Sequence, residues 1–126
     1  MNFPDDYRYS KEHTWVKLLD NGEALVGITE FAQSELGEIV YVDLPMTGLT
    51  FRKDEIFGSV EAVKTTSDLF MPVGGTVVEK NDALVKDASL ANTGAFTDGW
   101  MIRIQLTNPS ELDNLMDAQA YKSLVL

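Results

Sequence analysis

The side chain with the strongest claim to chemistry is Lys64, centred in Val60-Glu61-Ala62-Val63-Lys64-Thr65-Thr66-Ser67-Asp68, with apolar, extended runs on both sides of a polar bend at 63–68. A lysine amine is cationic at neutral pH, and acylation turns it into a neutral amide, erasing one positive charge. Held at the tip of a rigid hairpin, such an amine is open to a modifying enzyme. An arm attached there can swing between distant sites, and the hairpin keeps its effective concentration high at a docked partner. The other reading is an ordinary solvated turn lysine, which describes most residues of this type. Glu61 and Asp68 flank the position. They are expected to form an acidic collar read by the modifying enzyme and by basic patches on partners. The alternative is a solvated face that keeps the protein in solution.

Little else in the chain can do chemistry. Cysteine is absent and histidine occurs once, at His13. Without a thiol there is no sulfur nucleophile, disulfide exchange, zinc thiolate or iron–sulfur site, and a single histidine rules out a multi-histidine metal centre. No metal site is expected, and no catalytic residue. Redox or acyl-transfer chemistry must therefore come from a group attached to the protein. His13 is read as a structural or cleft-lining residue and not as a general base.

Twenty acidic and ten basic side chains leave a net charge of −10 in 126 residues. A polyanion repels phosphate backbones, so nucleic acid is not expected as a partner. The basic residues are dispersed, which argues against an anionic membrane surface, and no apolar run reaches the length of a spanning helix. The first residues, Met1-Asn2-Phe3-Pro4-Asp5-Asp6, have neither the blocks of a secretory signal nor the Arg-rich character of a transit peptide. A cytoplasmic protein, or a processed organellar one, is the expectation, and a monomer. With 44% hydrophobic residues the chain can fill one core, so 1–126 is expected to be one domain.

The elements that must hold Lys64 are mostly short strands. Trp15–Leu19 and Glu23–Thr29 flank the turn signal Asp20-Asn21-Gly22, and Ala24, Val26 and Ile28 share one face. Thr29 can cap a short helix over Glu30–Leu36 that Gly37 ends. Ile39–Leu44 is extended and stopped by Pro45. Glu55–Ala62 and Leu69–Pro72 are the strands on either side of the bend at 63–68. Thr76–Glu79 is extended, and Asn81-Asp82 turns the chain. In Trp100–Leu106 the residues Trp100, Ile102, Ile104 and Leu106 occupy one face, and Met101, Arg103 and Gln105 the other. From Pro109 the pattern becomes helical, with Ser110 as the expected N-cap and Leu112, Leu115 and Met116 as an inward stripe. A further helical turn is read from Asp117 toward Tyr121. The fold class is mainly β: a small antiparallel β sandwich or barrel with a short inserted helix and a C-terminal helix.

The segment Gly58-Ser59-Val60-Glu61-Ala62-Val63-Lys64-Thr65-Thr66-Ser67-Asp68, followed by Pro72-Val73-Gly74-Gly75-Thr76-Val77-Val78-Glu79, resembles the lipoylation segment of the glycine cleavage H proteins. Further blocks are similar in the same order: Lys11-Glu12-His13-Thr14-Trp15-Val16, Gly27-Ile28-Thr29-Glu30-Phe31-Ala32-Gln33, Leu36–Pro45, Asp98-Gly99-Trp100 and Pro109–Leu112. The resemblance extends from about Tyr7 to Tyr121. It implies a lipoyl-domain-like hybrid barrel with lipoate covalently attached to Lys64. Biotinyl carriers flank their lysine with methionines, and Val63 and Thr65 stand there instead.

The implied function is a carrier and not an enzyme. Its arm takes an aminomethyl group from a pyridoxal-phosphate glycine decarboxylase to a folate-dependent aminomethyltransferase, then passes reduced lipoate to a dihydrolipoyl dehydrogenase; a lipoylating enzyme loads it. The resemblance also implies a cleft that shelters the loaded arm. The acidic residue usual between the histidine and the tryptophan is Thr14 here, and Glu12, read as lying on the same face of an extended strand, is the expected substitute. Phe31, Ala95 and Phe96 also depart from the family pattern. The departures at Thr14 and Ala95 leave room for an alternative, an H-like relay that donates lipoyl groups to other proteins without glycine decarboxylation.

Overall fold

The computed structural model describes residues 1–126. In chain order the strands are β1 Arg8–Tyr9, β2 Thr14–Leu18, β3 Glu23–Ile28, β4 Ile39–Asp43, β5 Thr50–Phe51, β6 Ile56–Ala62, β7 Thr66–Phe70, β8 Gly75–Lys80 and β9 Ile102–Leu106. The α-helices are α1 Glu30–Leu36, α2 Asp82–Lys86, α3 Leu90–Thr93 and α4 Ala118–Val125. One sheet runs β1-β2-β3-β9-β8-β5 and the other β4-β6-β7, antiparallel at every pairing. This is the sandwich-like β fold with an inserted and a C-terminal helix that the strand pattern predicts.

The alternation of β2 and β3 decides where the core lies. Thr14, Val16 and Leu18 stand opposite Ile28, Val26 and Ala24. Val16, Ala24, Val26 and Ile28 pack with Ile102 and Ile104 of β9 against Ile39, Val42, Val60 and Leu69 of the small sheet. Fully burying one such aliphatic side chain is worth about 1.5–3 kcal/mol, so this apolar layer is the main force joining the sheets. Trp15 points the other way, into a second cluster with Tyr7, Tyr9, Phe96, Ala118 and Tyr121. There Tyr9 and Tyr121 stack with centroids 4.8 Å apart, which docks α4 on the outer side of the large sheet.

Local signals explain most boundaries. Thr29 Oγ1 accepts from Ala32 N–H at 3.1 Å and starts α1. Gly37, at φ 81°, ends it in a conformation open to glycine. Asn21 and Gly22 both take positive φ in the turn between β2 and β3.

Four expectations need correction. The bend after β6 is shorter than 63–68, because Thr66, Ser67 and Asp68 already pair with Glu61, Val60 and Ser59. Met101 is fully buried although it precedes β9, and Trp100 is only half-buried, because the strand begins at Ile102 and the face pattern does not extend back to them. The helical turn at Pro109–Asn114 is 3₁₀ and is capped by Asn108, whose side chain accepts from Ser110 N–H. Pro109 takes the first helical position, which leaves the residue before it as the cap. Asn81-Asp82, expected only to turn the chain, opens α2, and α3 follows in a stretch to which the sequence pattern assigns no element.

Candidate functional site

Lys64 stands at the apex of the β6–β7 hairpin. Glu61 pairs with Thr66, and Ala62 N–H donates to the Thr65 carbonyl at 2.7 Å, which leaves Val63 and Lys64 at the tip. The tip is tied down: Val63 N–H donates to the Glu38 carbonyl at 3.0 Å. The stem of Lys64 crosses Gly37, where a methyl group would lie 3.6 Å from Lys64 Cε and 3.9 Å from Nζ. Lys64 is exposed, and the far end of its side chain lies over the junction between α1 and β4.

Beside that junction opens a cleft of about 350 Å³ lined by Glu12, His13, Phe31, Ala32, Glu35, Leu36 and Ser67. Phe31, Ala32, Glu35 and Leu36 form one face of α1, so the helix lays an apolar floor and adds a carboxylate. Leu36 immediately precedes the glycine under Lys64. Such a cleft suits an apolar chain that ends in a cation, because carboxylates form strong charge-assisted hydrogen bonds with an ammonium. A larger hollow of about 390 Å³ shares Glu12 with the cleft, but it holds Lys11 and Lys53 beside Asp54 and nothing from the hairpin.

His13 takes a left-handed φ of 66°, which kinks the chain between Glu12 and Thr14. Its ring lies 4.8 Å from the Phe31 ring, and Nδ1 is 2.9 Å from the Tyr121 hydroxyl. Burial pushes its pKa below the ordinary histidine value, against the opposing pull of Glu12 and Glu35. The same Tyr121 hydroxyl lies 2.7 Å from Thr29 Oγ1, so it bridges His13 and the cap of α1. The cleft is thus held through Tyr121 by the C-terminal helix.

The kink separates two residues that the sequence reading placed together. Glu12 lines the cleft, whereas Thr14 is buried, its hydroxyl donating to the Phe70 carbonyl at 3.2 Å and lying 2.6 Å from Ser10 Oγ. Thr14 fastens β2 to β7 and is not among the cleft residues. Ala95 and Phe96 are likewise buried, and the Ala95 carbonyl accepts from the Trp15 indole at 3.0 Å.

Glu61 and Asp68 are exposed on the outer face of the small sheet, turned away from the apolar layer. The pairings Tyr41–Glu61–Thr66 and Asp43–Ser59–Asp68 put three carboxylates on that face. None of β4, β6 or β7 contains a lysine or arginine. A register shift between Ile39 and Tyr41 leaves Val40 and Tyr41 both exposed at the edge.

Residues 7–126 match the family model described as glycine cleavage H-protein. The chain belongs to the glycine cleavage H-protein family. It is 53% identical over 126 residues to the glycine cleavage system H protein of Chlorobium phaeovibrioides, covering 99% of this chain and 98% of that protein. It is 48% identical over 125 residues to that of Bacteroides fragilis, with the same coverage. The crystal structure of a glycine cleavage system H protein from Mycobacterium marinum superposes with a TM-score of 0.88 at 35% identity, covering 96% of this chain and 97% of that one. As a member of the family the protein is a lipoyl-bearing carrier in glycine cleavage and a non-catalytic subunit. Proteins of the family work with a glycine decarboxylase, an aminomethyltransferase and a dihydrolipoyl dehydrogenase. The family carries lipoate on a lysine. No helix is long and apolar enough to cross a membrane.

Sequence reasoning missed Glu35, although its signal was present: with α1 correctly bounded, the spacing 31, 32, 35, 36 puts it on the cleft face. It also missed the support beneath the hairpin, because α3 carries no periodic apolar pattern.

Proposed function

We propose that Lys64 is the lipoyl attachment site and that the cleft between α1 and Ser67 receives the loaded arm. The observation that carries this reading is the juxtaposition at Gly37: an exposed hairpin amine whose stem crosses the end of the helix that floors a carboxylate-bearing cleft. The residues fit the group, since the cleft that begins at Leu36 sets the apolar Ala32 and Phe31 beside the carboxylates of Glu35 and Glu12. When bound, lipoate supplies the disulfide and dithiol chemistry that a chain without cysteine lacks.

The protein's own residues do the rest. Lys64 anchors the arm through an amide, and the Val63–Glu38 bond fixes the direction in which it leaves. Glu12 and Glu35 accept hydrogen bonds from a cationic amine, and Phe31 and His13 screen it from water. Glu61 and Asp68, with Asp43, form the acidic collar that a lipoylating enzyme and basic patches on partner enzymes read. In this reading 1–126 acts as one carrier unit in the compartment of its partners, the cytoplasm or, for an organellar mature form, the mitochondrial matrix. The relay alternative rests on the departures at Thr14 and Ala95, and both are buried residues outside the cleft.

Intact-mass measurement after co-expression with a lipoylation pathway tests the assignment. One lipoyl increment is expected on the wild type and none on Lys64→Arg, which should also fail to support glycine-dependent carbon dioxide release with the three partner enzymes. An increment that persists in Lys64→Arg would overturn it.

A further inference from the structure

The hairpin tip does not position itself. It hangs on the carbonyl of Glu38, and the residues on both sides of Glu38 are held by one side chain. Asn92, in α3, donates from Nδ2 to the Gly37 carbonyl at 2.8 Å and to Gln33 Oε1 at 2.9 Å, and its Oδ1 accepts from Ile39 N–H at 2.9 Å. A single amide thus fixes the last turn of α1, the glycine under Lys64 and the first residue of β4. Between the two clamped residues lies the carbonyl that takes the Val63 N–H.

We propose that Asn92 is a positioning residue for the carrier lysine: by clamping Gly37 and Ile39 it sets the height and direction at which Lys64 presents its amine for acylation. The inference rests on Lys64 being the attachment site. In acylation the amine gives up a proton and bonds to the acyl carbon of an activated lipoyl donor while the donor's leaving group departs. The rate of that step depends on approach geometry, and a displacement of about 1 Å can cost up to about a hundredfold. Gly37, at φ 81°, has no side chain to hold it in place, and Glu38 is exposed, so the loop takes its order from Asn92. The asparagine amide offers two N–H donors and an acceptor on one planar group, and the three bonds use both ends.

The test compares Asn92→Ala and Asn92→Asp with Asn81→Ala in the full chain. Asp keeps the volume and the acceptor for Ile39 but turns a donor into an acceptor facing the Gly37 carbonyl, so one variant retains the packing. Asn81 is the control because its side chain also makes three hydrogen bonds, to Ala83 N–H and to the Asp98 and Trp100 carbonyls, away from the hairpin. With a purified lipoylating enzyme and its activated lipoyl donor, both Asn92 variants should show kcat reduced about tenfold or more at unchanged KM. Amide exchange at Val63 should quicken while the paired amides of β6 and β7 stay protected. Asn81→Ala should lose stability yet keep wild-type kinetics.

Wild-type kcat in both Asn92 variants, or equal slowing in Asn81→Ala, overturns the inference and leaves the lipoyl assignment standing. A wild-type protein that takes no lipoyl group at Lys64 overturns both.

Discussion

At the scale of single residues, His13 shows how one backbone angle assigns roles to its neighbours. Its left-handed φ sends Glu12 into the cleft and Thr14 into the seam between the sheets. An extended strand would have put Glu12 and Thr14 on one face, which is why that pairing was misread from the sequence. The place of Lys64 at a hairpin tip and the candidacy of Glu12 for the cleft are legible in the sequence, because both depend on residue type and local pattern. The kink was not, because histidine rarely adopts positive φ. The same residue carries a pH signature. Burial holds its folded-state pKa below the ordinary value near 6.5, so between the two values the unfolded chain binds more protons and stability rises with pH. This contribution is fully present above about pH 6.5 and is lost as pH falls through the folded-state value. In urea titrations at stepped pH, His13→Asn, whose side chain tolerates the left-handed angle, should lack that part of the acid-side loss. Parallel curves for the two proteins would show that His13 does not titrate in this way.

At the scale of elements, cap and turn signals carried the fold where they were unambiguous. Thr29 and Gly37 bound α1 as their types predict. The helices α2 and α3, of five and four residues, span too little chain for a 3.6-residue period to show, and only the turn at Asn81-Asp82 is legible there. At Asn108-Pro109-Ser110 two cap-forming residues competed, and the proline at the first helical position selected Asn108. The hairpin depends on a contact that no local pattern reveals. A methyl group at Gly58 would lie 2.2 Å from the Asp43 carbonyl oxygen, backbone against side chain, at the joint between β4 and β6. Gly58→Ala should therefore destabilise the protein by about 1–3 kcal/mol, the range for overpacking, read as a lower urea midpoint. Because β4 continues into the loop that holds the hairpin tip, Val63 amide exchange should rise in the same variant.

At the scale of the whole molecule, a charge of −10 is unevenly placed. The outer face of the small sheet holds Asp43, Glu61 and Asp68, with Lys64 at the tip of the same hairpin, and acylation of Lys64 would remove a cation from this acidic surface. A basic partner is therefore drawn more strongly to the loaded form than to the unloaded one. Glu61→Ala and Asp68→Ala should slow lipoylation at low ionic strength and converge on the wild-type rate as salt screens the field, since the Debye length shrinks from about 10 Å at 0.1 M to about 3 Å at 1 M. Rates equal to wild type at every salt concentration would reject the collar. The two sheets meet through their apolar layer and through α1, the connection between β3 of the large sheet and β4 of the small one. The cleft lies along this same connection, with Glu12 and His13 contributed by the large-sheet side and Ser67 by the small. A side arm resting there would bridge both halves like a clasp. With the arm so placed, storage of the cargo and cohesion of the scaffold would be thermodynamically linked, and whatever loosens the seam would also hasten delivery.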